Sequence, residues 1–180
     1  MNTKAEQYEA FKNSVAMTVT LVSFSMLFFT LFLGYALVRF NSPMWPPVEI
    51  QGMPRMLPLL STLVMIFSSV TYFLFEKKNS ALLWLATVAL GLVFLALQWT
   101  LWSELKATGI LVGNGMVPSM VYAYTWLHAG HIVLALLALL WIGWLLKKGT
   151  VTQAKLTNVG KFWHFLGAVW IVMYLTLFVL

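Results

Sequence analysis

Three histidines are the side chains best suited to chemistry in this chain. His128 and His131 stand three residues apart, and His164 follows 33 residues later. Imidazoles on facing helices can ligate haem, and three together can hold zinc or copper. The other reactive types are scarce. There is no Cys, which removes thiolate ligands, iron–sulfur clusters, thiol nucleophiles and disulfides. There is no Asp, and the five acids are Glu6, Glu9, Glu49, Glu76 and Glu104.

The elements that carry these residues follow from composition. Apolar residues make up 61% of the 180 positions and charged residues 9%, with a formal net charge of +6. A soluble domain needs far more polar surface, so a soluble enzyme, a disordered chain and a nucleic-acid-binding domain are all excluded. The basic residues also lack the clustering with aromatics that nucleic acid requires. Five charge-poor stretches reach the roughly 20 residues needed to cross about 30 Å of hydrocarbon. They predict transmembrane helices at about 13–40, 56–76, 79–103, 118–146 and 162–180, with residues 1–12 as a polar tail. Only helices satisfy their own backbone in lipid, and no strand-like alternation suggests a barrel. The expected fold is an all-α integral membrane bundle in one domain.

Eight lysines fall on the N-terminal side of these spans: Lys4, Lys12, Lys77, Lys78, Lys147, Lys148, Lys155 and Lys161. Arg39, Arg55 and Lys106 fall on the other. The positive-inside rule then places the N-terminus in the cytoplasm and the C-terminus outside.

No carboxylate lies within a span; Glu76 and Glu104 mark span ends. A proton pump or ion-coupled transporter normally carries buried acids, so neither fits. Depth also separates the histidines. His131 is 16 residues from Lys147, about 24 Å along a helix, whereas His164 is only about 4–5 Å from Lys161 on the same membrane face. Upright helices would not bring them to one metal. The expected role of His128, His131 and His164 is structural, as polar contacts between helices.

The helical faces agree. Tyr124, His128, His131, Ala135 and Ala138 form one stripe, and Gly160, His164, Gly167 and Ile171 another, so small residues beside histidine describe close helix contacts. Gln98 falls at a depth near His128 and is expected to hydrogen-bond His128 or His131. Trp45, Trp99, Trp102, Trp126, Trp141, Trp144 and Trp163 lie near span ends, as interface anchors do. Trp163, Trp170 and Tyr174 form an aromatic stripe read as a packing or lipid-facing surface.

Several segments, in order along the chain, resemble subunit III of the haem-copper respiratory oxidases. These are Met26-Leu-Phe-Phe29 with Gly34-Tyr-Ala-Leu-Val-Arg39, the loop Trp45-Pro-Pro47, and Leu57-Pro-Leu-Leu-Ser-Thr62 with Ser68-Ser69. Gly91-Leu-Val-Phe-Leu-Ala-Leu-Gln98, Leu127-His-Ala-Gly-His131, and Phe162-Trp-His-Phe165 with Val169-Trp170 follow. Arg39, Trp45, Pro46, Pro47, Trp163 and Trp170 are the motif positions that carry most of the likeness.

The resemblance implies the five-helix bacterial form, in the bacterial inner membrane. It implies a subunit with no redox centre that packs against subunit I and other oxidase subunits, holds membrane lipids and supports proton uptake. Haem and copper would reside in the partner subunits. Three carboxylates of the family pattern are replaced, by Ser25, Leu101 and Gly167, which marks a divergent member. A subunit-III-like accessory protein of a nitric oxide reductase is the alternative within the same fold. A haem-binding membrane anchor is the alternative outside it.

Overall fold

The computed structural model describes residues 4–45, 47, 50 and 52–179. Pro46, Glu49, residues 1–3 of the expected tail and Leu180 lie outside the described residues. The described chain is all helical. Helix α1 runs Lys4–Asn41, α2 Met56–Lys78, α3 Ala81–Ala107, α4 Met116–Lys148 and α5 Gln153–Tyr174, and Leu175–Val179 closes as a wider π-helical turn. All five helices are long and apolar enough to cross a membrane.

Two helix starts differ from the expectation. α1 is already helical at Lys4 within the expected tail, and α5 begins at Gln153, nine residues before Phe162. The physical reason is the same in both. Lys, Glu, Gln and Ala are good helix formers, so a charge marks where the membrane ends without ending the backbone hydrogen-bond ladder. At 1.5 Å per residue the 38 residues of α1 extend about 57 Å, well beyond the hydrocarbon.

Two turns fix neighbouring helices. Between α2 and α3 only Asn79 and Ser80 intervene. Asn79 takes the left-handed conformation (φ 48°) that ends α2, and its N–H returns to the Phe75 carbonyl at 2.8 Å. α4 ends on Gly149 (φ 67°), whose N–H reaches the Leu146 carbonyl at 3.1 Å, while Thr150 N–H reaches Leu145. α2 therefore lies along α3. α5 touches α1, α2 and α4.

Helix approach is set by tryptophans facing glycines. A Cβ on Gly143 of α4 would sit 2.3 Å from the Trp84 ring of α3, and the Trp84 indole N–H donates to the Leu139 carbonyl at 2.9 Å. A Cβ on Gly91 of α3 would meet Trp163 of α5 and Leu136 of α4, each at 2.8 Å. The expectation that Trp163 is an interface anchor is thereby corrected, since Trp163 is completely buried. It stands ten residues into α5, about 15 Å from the helix start, where the ring fills the space that Gly91 leaves.

Candidate functional site

The polar centre of the bundle is built on α4. The stripe of Tyr124, His128, His131 and Ala135 faces inward and is buried. His128 is fully buried where four helices meet. Its ring lies 5.4 Å from Trp170 of α5, 5.8 Å from Phe94 of α3 and 6.1 Å from Phe28 of α1, centroid to centroid. Neither ring nitrogen has a protein hydrogen-bond partner. His131 turns along its own helix instead. Its Nδ1 lies 2.7 Å from the Leu127 carbonyl, which can only accept, so Nδ1 carries the proton. The ring packs edge-on against Phe24 at 4.5 Å.

Gln98 does not bond either histidine, contrary to expectation. Its Nε2 donates to Ser61 Oγ of α2 at 3.2 Å, and its Oε1 has no protein partner. The cause is local. α3 is paired most closely with α2, and Phe94, one turn before Gln98, faces the His128 ring. Ser61 hands its own proton to the Leu57 carbonyl. Beside it Thr62 Oγ1 accepts the Trp170 indole N–H at 3.1 Å and donates to the Pro58 carbonyl. Trp170 thus belongs to the interior, bonded to α2 and in edge contact with Phe94 at 4.9 Å.

His164, midway along α5, belongs to a separate group that reaches back to the first turns of that helix. Its ring stands edge-on to Tyr72 at 5.8 Å. Tyr72 donates its phenol to the Leu156 carbonyl at 2.7 Å, and Glu76, one turn further along α2, accepts from Thr157 at 2.6 Å and from Gln153 at 3.5 Å. A Cβ on Gly160 would fall 2.6 Å from the Tyr72 ring, so the glycine is what lets the tyrosine lie across α5. The Gly160–His164–Gly167 stripe makes the close contact read from its small residues. Thr157 was not singled out from sequence, Glu76 was read only as the end of a span, and Tyr72 only as part of a polar stripe on α2 with Ser61 and Ser68. The available signal was Tyr72 and Glu76 on one face of α2, opposite a glycine. Among the described residues no three side chains of metal-ligating type converge.

The motif residues at the far end of α1 also find their partners. The Arg39 guanidinium lies over the Trp45 ring at 5.2 Å, and Tyr35 meets Trp45 edge-on at 5.7 Å. Tyr124 donates its phenol to the Leu31 carbonyl, which ties α4 to α1. Pro47, also in this loop, accepts Ile50 N–H at its carbonyl.

The three positions that lack the resemblance's carboxylates differ in setting. Ser25 is exposed on α1 and bonds only the Leu21 carbonyl. Leu101 is buried. Gly167 is buried too, and a Cβ there would approach Ser69 Oγ to 3.0 Å.

The outer faces of all five helices are apolar, and α1 is the least covered. Among known proteins, this chain is 28% identical over 174 residues to cytochrome c oxidase subunit 3 of Synechocystis sp., covering 89% of this chain and 72% of that one. It is 28% identical over 178 residues to cytochrome c oxidase subunit 3 of Thermostichus vulcanus, covering 92% and 86%. It is 25% identical over 178 residues to a heme-copper oxidase subunit I+III of Aeropyrum pernix, covering 88% of this chain and 22% of that one. The profile of cytochrome c oxidase subunit III matches residues 6–180. With five spanning helices and a match over nearly its whole length, the chain belongs to the cytochrome c oxidase subunit III family.

Proposed function

We propose that the chain is a non-catalytic subunit of a haem-copper oxidase, that it packs against subunit I, and that it supports proton uptake there. Haem and copper then reside in the partner subunits. The observation that carries this reading is the uneven covering of the helices. α4 and α5 have well-buried inner faces, whereas α1 makes its main contacts with α4 and α5 and is the least covered of the described helices. Its exposed residues include Ala16, Thr20 and Ser23, and Thr30 and Gly34 continue that row along a groove beside Met116 and Ser119 of α4, small residues of the kind that let a neighbouring helix approach closely. The Aeropyrum relative, in which subunits I and III form one chain by name, favours subunit I as that neighbour. The bilayer is the bacterial inner membrane, with the lysine-rich end of the bundle in the cytoplasm.

Purification from native membranes in mild detergent tests the reading. A haem-copper subunit I is expected to accompany the chain, with all visible absorbance assigned to that partner. A nitric oxide reductase large subunit in its place would establish the second reading, which the replaced carboxylates at Ser25, Leu101 and Gly167 favour.

A further inference from the structure

We propose that the groove between α2 and α5 receives a transmembrane helix of a neighbouring subunit, and that Ser69 and His164 bond a side-chain carbonyl oxygen on that helix. A cavity of about 300 Å³ opens here, lined by Ser69, Val70, His164, Gly167, Ala168 and Ile171 among others. Hydroxyls within the spans generally return their proton to a carbonyl one turn back on their own helix. Ser25 donates to Leu21, Ser61 to Leu57, Thr100 to Ala96 and Thr176 to Val172. Ser69 does not, and it bonds no other described residue. Gly167 keeps the space beside it open, since a Cβ there would lie 3.0 Å from Ser69 Oγ. The His164 ring likewise makes no hydrogen bond among the described residues, and its contact with Tyr72 is edge-on, ring to ring. The groups near it are engaged elsewhere. Tyr72 gives its phenol to the Leu156 carbonyl, and Glu76 accepts from Thr157 and Gln153.

Depth decides what can answer these two groups. Tyr72 and Ser69 stand six and nine residues from Lys78, about 9 and 14 Å along α2. His164 meets Tyr72 and Gly167 meets Ser69, so both polar side chains lie in this layer, deep in one leaflet of a hydrocarbon core of roughly 30 Å. A phospholipid phosphate stays at the surface, and the acyl chains at this depth carry no hydrogen-bonding group. A hydroxyl and an imidazole left to hydrocarbon cost free energy, and polar side chains inside a membrane normally face protein or water. The Ser69 O–H and the ring N–H of His164 are donors, so their complement is an oxygen acceptor brought to this depth by another membrane span. A carboxyl or carboxamide side chain supplies a carbonyl oxygen able to accept twice. In the middle of this chain's own spans only Gln98 is of that kind, and it is buried, so a second copy does not fit. Ser69, Gly167 and Ala168 are small, as residues that let a second helix come close are. The neighbour is thus a helix of another subunit with Asp, Glu, Asn or Gln inside its span. This inference rests on the reading of the chain as one subunit of a membrane complex, and it adds a contact on α2 and α5 to the one on α1.

Photocross-linking of the protein, purified from native membranes in mild detergent with its accompanying subunits, tests the proposal. Phe73 is exposed one turn from Ser69 on the same face of α2, and Phe73→p-benzoylphenylalanine puts the probe at the groove while keeping an aromatic ring. After irradiation the joined peptide is sequenced by mass spectrometry. A peptide from an apolar span of another chain, with Asp, Glu, Asn or Gln within it, is expected. Replacing that residue by Leu should lower the joined yield by on the order of five- to tenfold, as the loss of two interhelical hydrogen bonds in a bilayer predicts. S69A/H164F should lower it equally, and the two changes together no further. His164→Phe keeps the ring contact with Tyr72, and Ser69→Thr, which keeps the hydroxyl, should keep the yield. Joining only to lipid or detergent, a joined span without such a residue, or an unmoved yield in S69A/H164F overturns the proposal. If other subunits co-purify and none is joined at position 73, this inference fails and the oxidase reading stands. If no subunit co-purifies, both fail.

Discussion

Trp170 of α5 donates its indole N–H to Thr62 of α2 at 3.1 Å, in the interior of the bundle. Both partners are buried, so the bond ties two helices 108 residues apart in sequence. Thr62→Val keeps the shape and removes the acceptor, leaving a buried N–H unpaired. The expected loss is about 0.5–2 kcal/mol, between what transmembrane hydrogen bonds usually contribute and the cost of a buried orphan donor. Reversible unfolding in mixed micelles measures it. Thr62→Ser should restore most of the loss, and Trp170→Phe should cost no more in the Thr62→Val background than packing alone explains.

His128 leads to the opposite expectation. Its nitrogens have no protein partners, and its ring is surrounded by Phe28, Phe94 and Trp170. Replacing an unpaired buried polar group by an apolar one of similar size is close to neutral or stabilising. His128→Leu should therefore leave the unfolding midpoint unchanged or raised. A drop of several kcal/mol would show that the imidazole has a role beyond filling space.

Gly167 gives a test of divergence. Restoring an acid by Gly167→Asp places a Cβ 3.0 Å from Ser69 Oγ. The folded yield should fall, by roughly the 1–3 kcal/mol that overpacking costs. Ser69→Gly in the same chain should recover much of it. Ser25→Glu, at an exposed position on α1, should leave the isolated subunit's stability nearly unchanged and be felt instead in the yield of partner that co-purifies.

Membrane orientation is directly measurable because the chain contains no cysteine. Single variants Lys147→Cys and Lys106→Cys lie at opposite ends of the bundle. In intact cells a membrane-impermeant maleimide should label Cys at 106 and spare Cys at 147. The reverse pattern would invert the assigned topology.

The five helices were legible because charged residues separate each span from the next, and composition alone forced a membrane fold. Helix ends were less legible. Lys4 and Gln153 begin helices inside polar sequence, since polarity reports the solvent boundary and says little about backbone hydrogen bonding. The inward face of α4 followed from periodicity. The partners of its side chains did not, because depth along the axis leaves rotation undetermined. Gln98 and His128 are at similar heights, yet α3 presents Gln98 to Ser61 and Phe94 to the imidazole. Trp163 was misplaced for a related reason. Tryptophan near a lysine looks like an anchor until the opposing glycine, 72 positions earlier in the chain, is known to lie beside it.

The two-residue turn at Asn79–Ser80 also bears on how the protein is made. α2 and α3 are so closely linked that they enter the bilayer as one helical hairpin, zipped by contacts between residues near in sequence. α5 works differently, since it must meet α1, α2 and α4. During synthesis, therefore, the earlier spans wait with the Gly91 and Thr62 surfaces unfilled until α5 emerges to deliver Trp163 and Trp170. Closure of the bundle is thus timed by translation of its most distal tryptophans.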